Sequence, residues 1–116
     1  VFAFRSPPEY ASLFSQVSFD VMSVANNHAM DFGKKGFSDT VNNLNAAGVK
    51  TVGAKNQILY TKVKNIPVAW IGFCFYEYCN TVQDIQKAKA LVNQARQKAK
   101  IVIISMHVGA EGSDAL

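Results

Sequence analysis

Cysteine, histidine and proline are scarce in this 116-residue chain, with two, two and three of them, and tryptophan occurs once. Cys74 and Cys79 are too few and too close together for a disulfide framework, and no second pair completes a zinc ribbon. They leave the redox compartment undecided. The longest apolar run, residues 66–76, is interrupted by Pro67 and Gly72 and covers barely half of the roughly 20 residues that a membrane-spanning helix needs. The opening residues lack a charged n-region and a small-residue cleavage site, so no signal peptide is expected in them. No internal repeat, low-complexity tract or Pro/Gly-rich linker divides the chain, which has the size of one domain.

Charge is also sparse. Only 17% of residues are charged against 49% apolar, far from the composition of a disordered chain. Twelve basic residues outnumber eight acidic ones, and Lys87, Lys89, Arg96, Lys98 and Lys100 fall close together. No aromatic residue is interleaved between positions 81 and 100 and no recognition motif occurs there, so nucleic acid is not an expected partner. Val82, Ile85, Ala88, Val92, Ala95 and Ala99 draw one apolar stripe through the same stretch. The lysines then form the solvated side of an amphipathic helix.

The order of elements follows from spacing and punctuation. Ser6-Pro7-Pro8-Glu9 has the form of a capping box that starts a short helix to about Gln16, with Tyr10, Leu13, Phe14 and Val17 on one face. Residues 19–25 are a β-branched and apolar run of strand length. A second helix follows Gly33, with Phe37, Val41, Leu44 and Ala47 inward and Gly48 as its C′ residue. Residues 49–53 predict a short strand, and residues 58–63 and 67–75 a hairpin around Lys64-Asn65, its second arm buried on both faces. Thr81 with Asp84 suggests a capping box for the basic helix, and residues 101–106 form a last strand that stops at His107. Residues 1–4 look like a strand as well. Such alternation predicts an α/β fold with mainly parallel strands and flanking helices.

Several motifs carry no chemistry. Asp31-Phe32-Gly33 spells the kinase magnesium motif without a glycine-rich loop or catalytic loop to accompany it, and Gly33-Lys34-Lys35-Gly36 lacks the spacing and ending of a P-loop. Ser23 and Ser105 lie within expected strands rather than on a nucleophile elbow. Trp70, Phe73, Phe75, Tyr76 and Tyr78 are accounted for mostly by core packing along a buried strand.

Open α/β sheets bind ligands beyond the carboxyl ends of their strands. Both histidines stand there: residues 19–25 run into Asn26-Asn27-His28 and then Asp31, and residues 101–106 run into His107, Gly109 and Glu111. Imidazole serves as metal ligand or proton donor. A carboxamide oxygen, with Asn27 the better placed, coordinates a hard cation without repelling an anionic substrate. Asp31 is spaced to accept the second N–H of His28, or else to cap the next helix.

Residues 23–33 with Gly36, Thr40, Leu44, Gly48 and Val52-Gly53-Ala54 resemble the poly-γ-glutamate capsule-synthesis (CapA) family, and residues 103–111 match the same pattern. That family is similar to the calcineurin-like metallophosphoesterases, so the resemblance implies a partial metallophosphoesterase-like α/β sandwich with a metal site at strand-end loops. It implies Asn27 and His107 as metal ligands, His28 as the acid or phosphoryl-contacting residue and Asp31 as its orienting partner. Asn26 occupies the position that is commonly glycine in the superfamily, Val108 one that is often tryptophan, and Glu111 is a further polar group of the site. The implied cofactors are two divalent metal ions, Mn, Fe or Zn, in the full-length protein. Because an aspartate before Val1 and histidines after Leu116 are also implied, residues 1–116 are expected to be the central fragment of a single CapA-like domain, inactive alone. The expected function is capsule or poly-γ-glutamate biosynthesis through a metal-dependent hydrolase or transferase site. The alternative is a non-catalytic envelope assembly or polyanion-binding component of the same fold. The expected partners are an anionic polymer or phosphoryl-containing substrate and a membrane-associated synthesis complex, at the cell envelope.

Overall fold

The computed structural model describes residues 2–110. Pro7 and Pro8, with φ already near helical values, open a 3₁₀ turn over Pro8–Tyr10 that runs into helix α1, Ala11–Gln16. Ser6 makes no cap hydrogen bond at this start, contrary to the capping-box expectation. The strand expected over residues 19–25 is present as β1, Val21–Ser23, flanked by the ladder bonds Lys50 N–H to Asp20 C=O and Val24 N–H to Val52 C=O. Helix α2, Gly33–Ala46, ends at the left-handed Gly48 (φ +89°), as the C′ glycine predicts. Strand β2, Lys50–Val52, pairs with β1 in parallel.

Strands β3, Leu59–Val63, and β4, Ile66–Cys74, form the expected hairpin. Lys64 (φ +48°) and Asn65 (φ +65°) are both left-handed, the two-residue turn whose twist matches that of the arms. Strand β5, Asn80–Thr81, helix α3, Ile85–Lys98, and strand β6, Ile101–His107, complete the order. β5 and β6 both pair with β4 in parallel, so among the described strands the hairpin pairing alone is antiparallel, and outside them Ala54 and Cys79 make a single antiparallel bridge. Both faces of β6 are exposed at Ile101, Ile103, Ile104 and Met106, and among the described residues no strand pairs with its outer edge. No described helix is long and apolar enough to cross a membrane.

Strand alternation explains how the layers stack, because successive side chains point to opposite faces. Ala69, Ile71 and Phe73 of β4 pack on Ala88, Leu91, Val92 and Ala95 of α3. Met22 and Val24 beside β2 are covered by Ala11 and Phe14 of α1 and by Phe37, Val41 and Leu44 of α2. The remaining faces meet each other at Ala25, Gly53 and Gly72. The result is helix, sheet, sheet, helix: a partial α/β sandwich with mainly parallel strands. The lysines and arginine of α3 lie on its exposed side.

Three further expectations need correction. Residues 2–4 form no strand; the Phe4 amide donates to the carboxylate of Asp31 (2.8 Å) in place of a ladder partner. The cap of α3 is Asp84 rather than Thr81: the Asp84 carboxylate accepts from the Lys87 amide (3.1 Å), while Thr81 belongs to β5 opposite Cys74. The two cysteines, read as too few and too close together for a disulfide framework, are joined to each other as a disulfide.

Hydrogen bonds from the side chain and amide of Lys87 hold the Asp84 carboxyl below its ordinary value of 3.8. The contribution is present above that ordinary pKa and disappears as pH falls through the lowered one. Asp84→Ala is therefore expected to reduce the melting temperature by a few degrees at neutral pH and by nothing in strong acid. Thermal melts of both proteins at the two extremes check this; an undiminished difference in acid counts against the cap.

Candidate functional site at the strand ends

Beyond Val24 the chain leaves the β1 ladder and turns sharply. Asn26 makes that turn: its side-chain oxygen accepts from the His28 amide (2.9 Å) and its carbonyl from the Ala29 amide (3.4 Å). Asparagine suits this position because its short carboxamide can mimic a backbone turn. A second turn, with Asp31 N–H to His28 C=O (3.2 Å) and Gly33 N–H to Met30 C=O (2.8 Å), leads into α2.

His28 and Asp31 form a pair across this second turn, Nδ1 to Oδ2 2.9 Å. The Phe4 amide holds the Asp31 carboxyl below the usual carboxylate range; partial burial opposes this, and His28 adds to the lowering. Ionised Asp31 can only accept, so Nδ1 carries the proton and Nε2 is the ring nitrogen left for chemistry. Phe4 and the imidazole pack in a T-shaped pair (centroids 4.5 Å apart, planes at 87°), and Arg5 lies over the ring of Phe32 (5.2 Å). The first residues of the chain thus fasten the His28 turn from outside.

Asn27 and His107 come from the two different sheets and line one cleft of about 290 Å³. His107 closes β6, level with Cys74 of β4. Phe75, Tyr76 and the segment Val108, Gly109 and Ala110 complete the walls, with Gly109 left-handed at φ +119°. The structure therefore brings Asn27 and His107 together and His28 and Asp31 together. His28 is next to Asn27 in the chain but does not line the cleft. Glu111 lies outside the described residues.

The donors in the cleft are a neutral carboxamide oxygen and an imidazole nitrogen, types that Mn, Fe and Zn accept. A catalytic zinc site takes three protein ligands, and among the described residues no three His, Cys, Asp or Glu side chains gather. Asn27 and His107 thus fit one part of a divalent-metal site.

The residues that shape the cleft escape sequence reasoning. Of the aromatic group assigned to the core, Phe73 is buried, while Phe75 (40% exposed) and Tyr76 (43% exposed) form the cleft wall. Tyr78 donates its hydroxyl to the carbonyl of Asn26 (2.7 Å). Burial, with Tyr76 and Asp31 nearby, pushes its phenol upward, so it remains a donor. No local signal links positions so far apart in sequence.

The sequence is similar to those of several known proteins. The chain is 30% identical over 120 residues to the PGA biosynthesis protein CapA of Bacillus subtilis, covering 89% of this chain and 32% of that protein. It is 36% identical over 72 residues to the capsule biosynthesis protein CapA of Bacillus anthracis, covering 56% of this chain and 17% of that one. A probable polyglutamine synthesis accessory protein of Mycobacterium tuberculosis is 38% identical over 56 residues, 48% of this chain and 15% of its own length. The chain therefore spans a third or less of these relatives. A family model described as bacterial capsule synthesis protein PGA_cap matches residues 1–116, and the chain belongs to that family.

Proposed function

We propose that the full-length protein acts in poly-γ-glutamate capsule formation at the cell envelope as a metal-dependent hydrolase or transferase. The observation that carries this reading is the convergence of Asn27 and His107 on one cleft at the carboxyl ends of β1 and β6, with the His28–Asp31 pair beside it. Asn27 and His107 would hold part of a divalent-metal centre completed by residues outside this chain. A divalent ion held there supplies Lewis-acid polarisation of a phosphoryl or carbonyl oxygen. His28, oriented by Asp31 through Nδ1, would present Nε2 to a leaving group and, as the imidazolium that carries a proton on both nitrogens, donate the Nε2 proton and keep the one on Nδ1. The disulfide supports an extracytoplasmic position, since such links persist in oxidising compartments.

The test is metal content. His107→Ala in the full-length protein is expected to lower bound Mn, Fe or Zn, measured by elemental analysis after dialysis. Unchanged content removes His107 from the ligand set, and a wild-type protein that neither carries nor takes up a transition metal ends the catalytic reading.

A second reading rests on the exposed cationic side of α3, where Lys87, Lys89, Arg96 and Lys98 face solvent. It makes the protein a non-catalytic component that holds an anionic polymer such as polyglutamate. Binding of that kind weakens steeply with salt, whereas metal-dependent turnover does not follow the same dependence.

A further inference from the structure

A parallel neighbour in a sheet ordinarily needs a crossover of a dozen residues or more. Here β4 ends at Cys74 and β5 begins at Asn80, yet the two pair in parallel, Phe73 opposite Asn80 and Cys74 opposite Thr81. The chain leaves β4, loops once and returns to the strand it left. Two devices hold this lasso. The Cys74–Cys79 disulfide closes its neck, with both cysteines buried. Asn80, also buried, donates to the Gly72 carbonyl (3.1 Å) and accepts from the Asn56 amide (2.6 Å).

The lasso touches both sides of the cleft. Its disulfide packs on Ala25, the residue immediately before Asn26. Tyr78 reaches across to the Asn26 carbonyl (2.7 Å), stacks on Tyr76 (5.4 Å, planes at 6°) and meets Phe37 of α2 (6.4 Å). The Tyr78 carbonyl accepts from the Lys55 amide (3.0 Å) just beyond β2. Cys74 lies level with His107, and Tyr76 stands in the cleft wall. The loop thus ties the end of one sheet, carrying Asn27, to the end of the other, carrying His107.

We propose that the disulfide-closed loop is a clamp that sets the spacing of Asn27 and His107, with Tyr78 and the Cys74–Cys79 link as positioning groups for metal binding. The inference rests on the metal-dependent reading above. Groups that orient a ligand without touching the metal are worth about 10- to 100-fold in affinity. Tyr78 acts through the Asn26 carbonyl, one peptide unit from Asn27. The disulfide acts by keeping the lasso from opening, which would release Tyr78 and the cleft wall together.

The experiment uses the full-length protein with Mn²⁺ alone as probe. Tyr78→Phe and the double variant Cys74→Ser/Cys79→Ser are titrated with Mn²⁺, and amide hydrogen exchange over residues 24–31 is followed in the metal-free proteins. Tyr78→Phe is expected to weaken Mn²⁺ binding about 10-fold and the double variant more, toward 100-fold. Exchange should quicken at the His28 amide, which the Asn26 side chain holds, while α3 keeps its protection. Uniformly faster exchange, with α3 included, marks loss of general stability and overturns the clamp. So does unchanged affinity with unchanged exchange at residues 24–31. If the double variant does not fold, Tyr78→Phe decides, because it removes one oxygen and retains the ring. If the wild type binds no Mn²⁺, the metal-dependent reading fails, and the exchange of residues 24–31 still upholds or overturns the clamp.

Discussion

Alanine in place of His28 is expected to leave the metal content of the full-length protein intact and to lower its turnover of an alkyl phosphate ester by about 10²- to 10⁴-fold, the range for one positioned proton donor. The size depends on the leaving group. An alkoxide departs badly without a proton, so it needs the imidazole; a nitrophenolate is stable as an anion and needs it little. The same variant should therefore lose far less activity on a nitrophenyl ester. Asp31→Asn tests the support of this donor. It removes the charge that the Phe4 amide and His28 now share, and with it the fixed tautomer. Its loss should be smaller and carry the same leaving-group dependence. Equal losses on both esters would mean that His28 contacts the phosphoryl group rather than the leaving group. A fall in metal content would make it a ligand. Steady-state rates on the two esters, with elemental analysis of each preparation, separate these cases.

The elements that declare themselves in the sequence are those whose cause is local. Lys64-Asn65 between two apolar arms is a turn because both residues must take positive φ, and both do. The stripe through α3 is legible because helical spacing alone aligns Ala88, Val92 and Ala95, which pack where expected. Asn26 is legible as a turn-former because a short carboxamide at a strand's carboxyl end can take over a backbone hydrogen bond, as it does toward the His28 amide. What stays hidden depends on distant partners. Thr81 and Asp84 are equally able caps when read along the chain. Only the return of the lasso into β5 commits Thr81 to a strand and leaves Asp84 to the helix. The cysteine pairing is hidden for the same reason, since it follows from a loop that doubles back instead of crossing over. Phe75, Tyr76 and Tyr78 read as a continuation of the apolar strand, and they become cleft wall and clamp once that strand ends at Cys74.

The largest effect on stability is expected from the contact between the sheets. Gly53 has φ +118°, a conformation that L side chains rarely adopt, and a Cβ there would stand 2.7 Å from Ala25 Cβ and 2.8 Å from the Ala25 nitrogen. Gly72 has an ordinary backbone, but a Cβ on it would lie 2.7 Å from Gly53 Cα, again against main chain that cannot rotate away. Overpacking of this kind costs about 1–3 kcal/mol, and a side chain forced into a sparsely populated backbone region adds about 1–3 kcal/mol more. Gly72→Ala should therefore lower the melting temperature by several degrees and Gly53→Ala by clearly more. Ala25→Gly should rescue Gly53→Ala only in part, because it clears the methyl group and leaves the nitrogen. The damage should also reach function. Ala25 precedes the Asn26 turn and Gly72 lies two residues before Cys74, so sheets pushed apart at this point carry Asn27 away from His107. Calorimetry of the three variants gives the order of stabilities, and Mn²⁺ titration of Gly72→Ala well below its melting temperature gives the consequence. A Gly72→Ala protein as stable as the wild type would mean that the two sheets do not meet so closely here, and the geometric basis for a shared cleft would go with it.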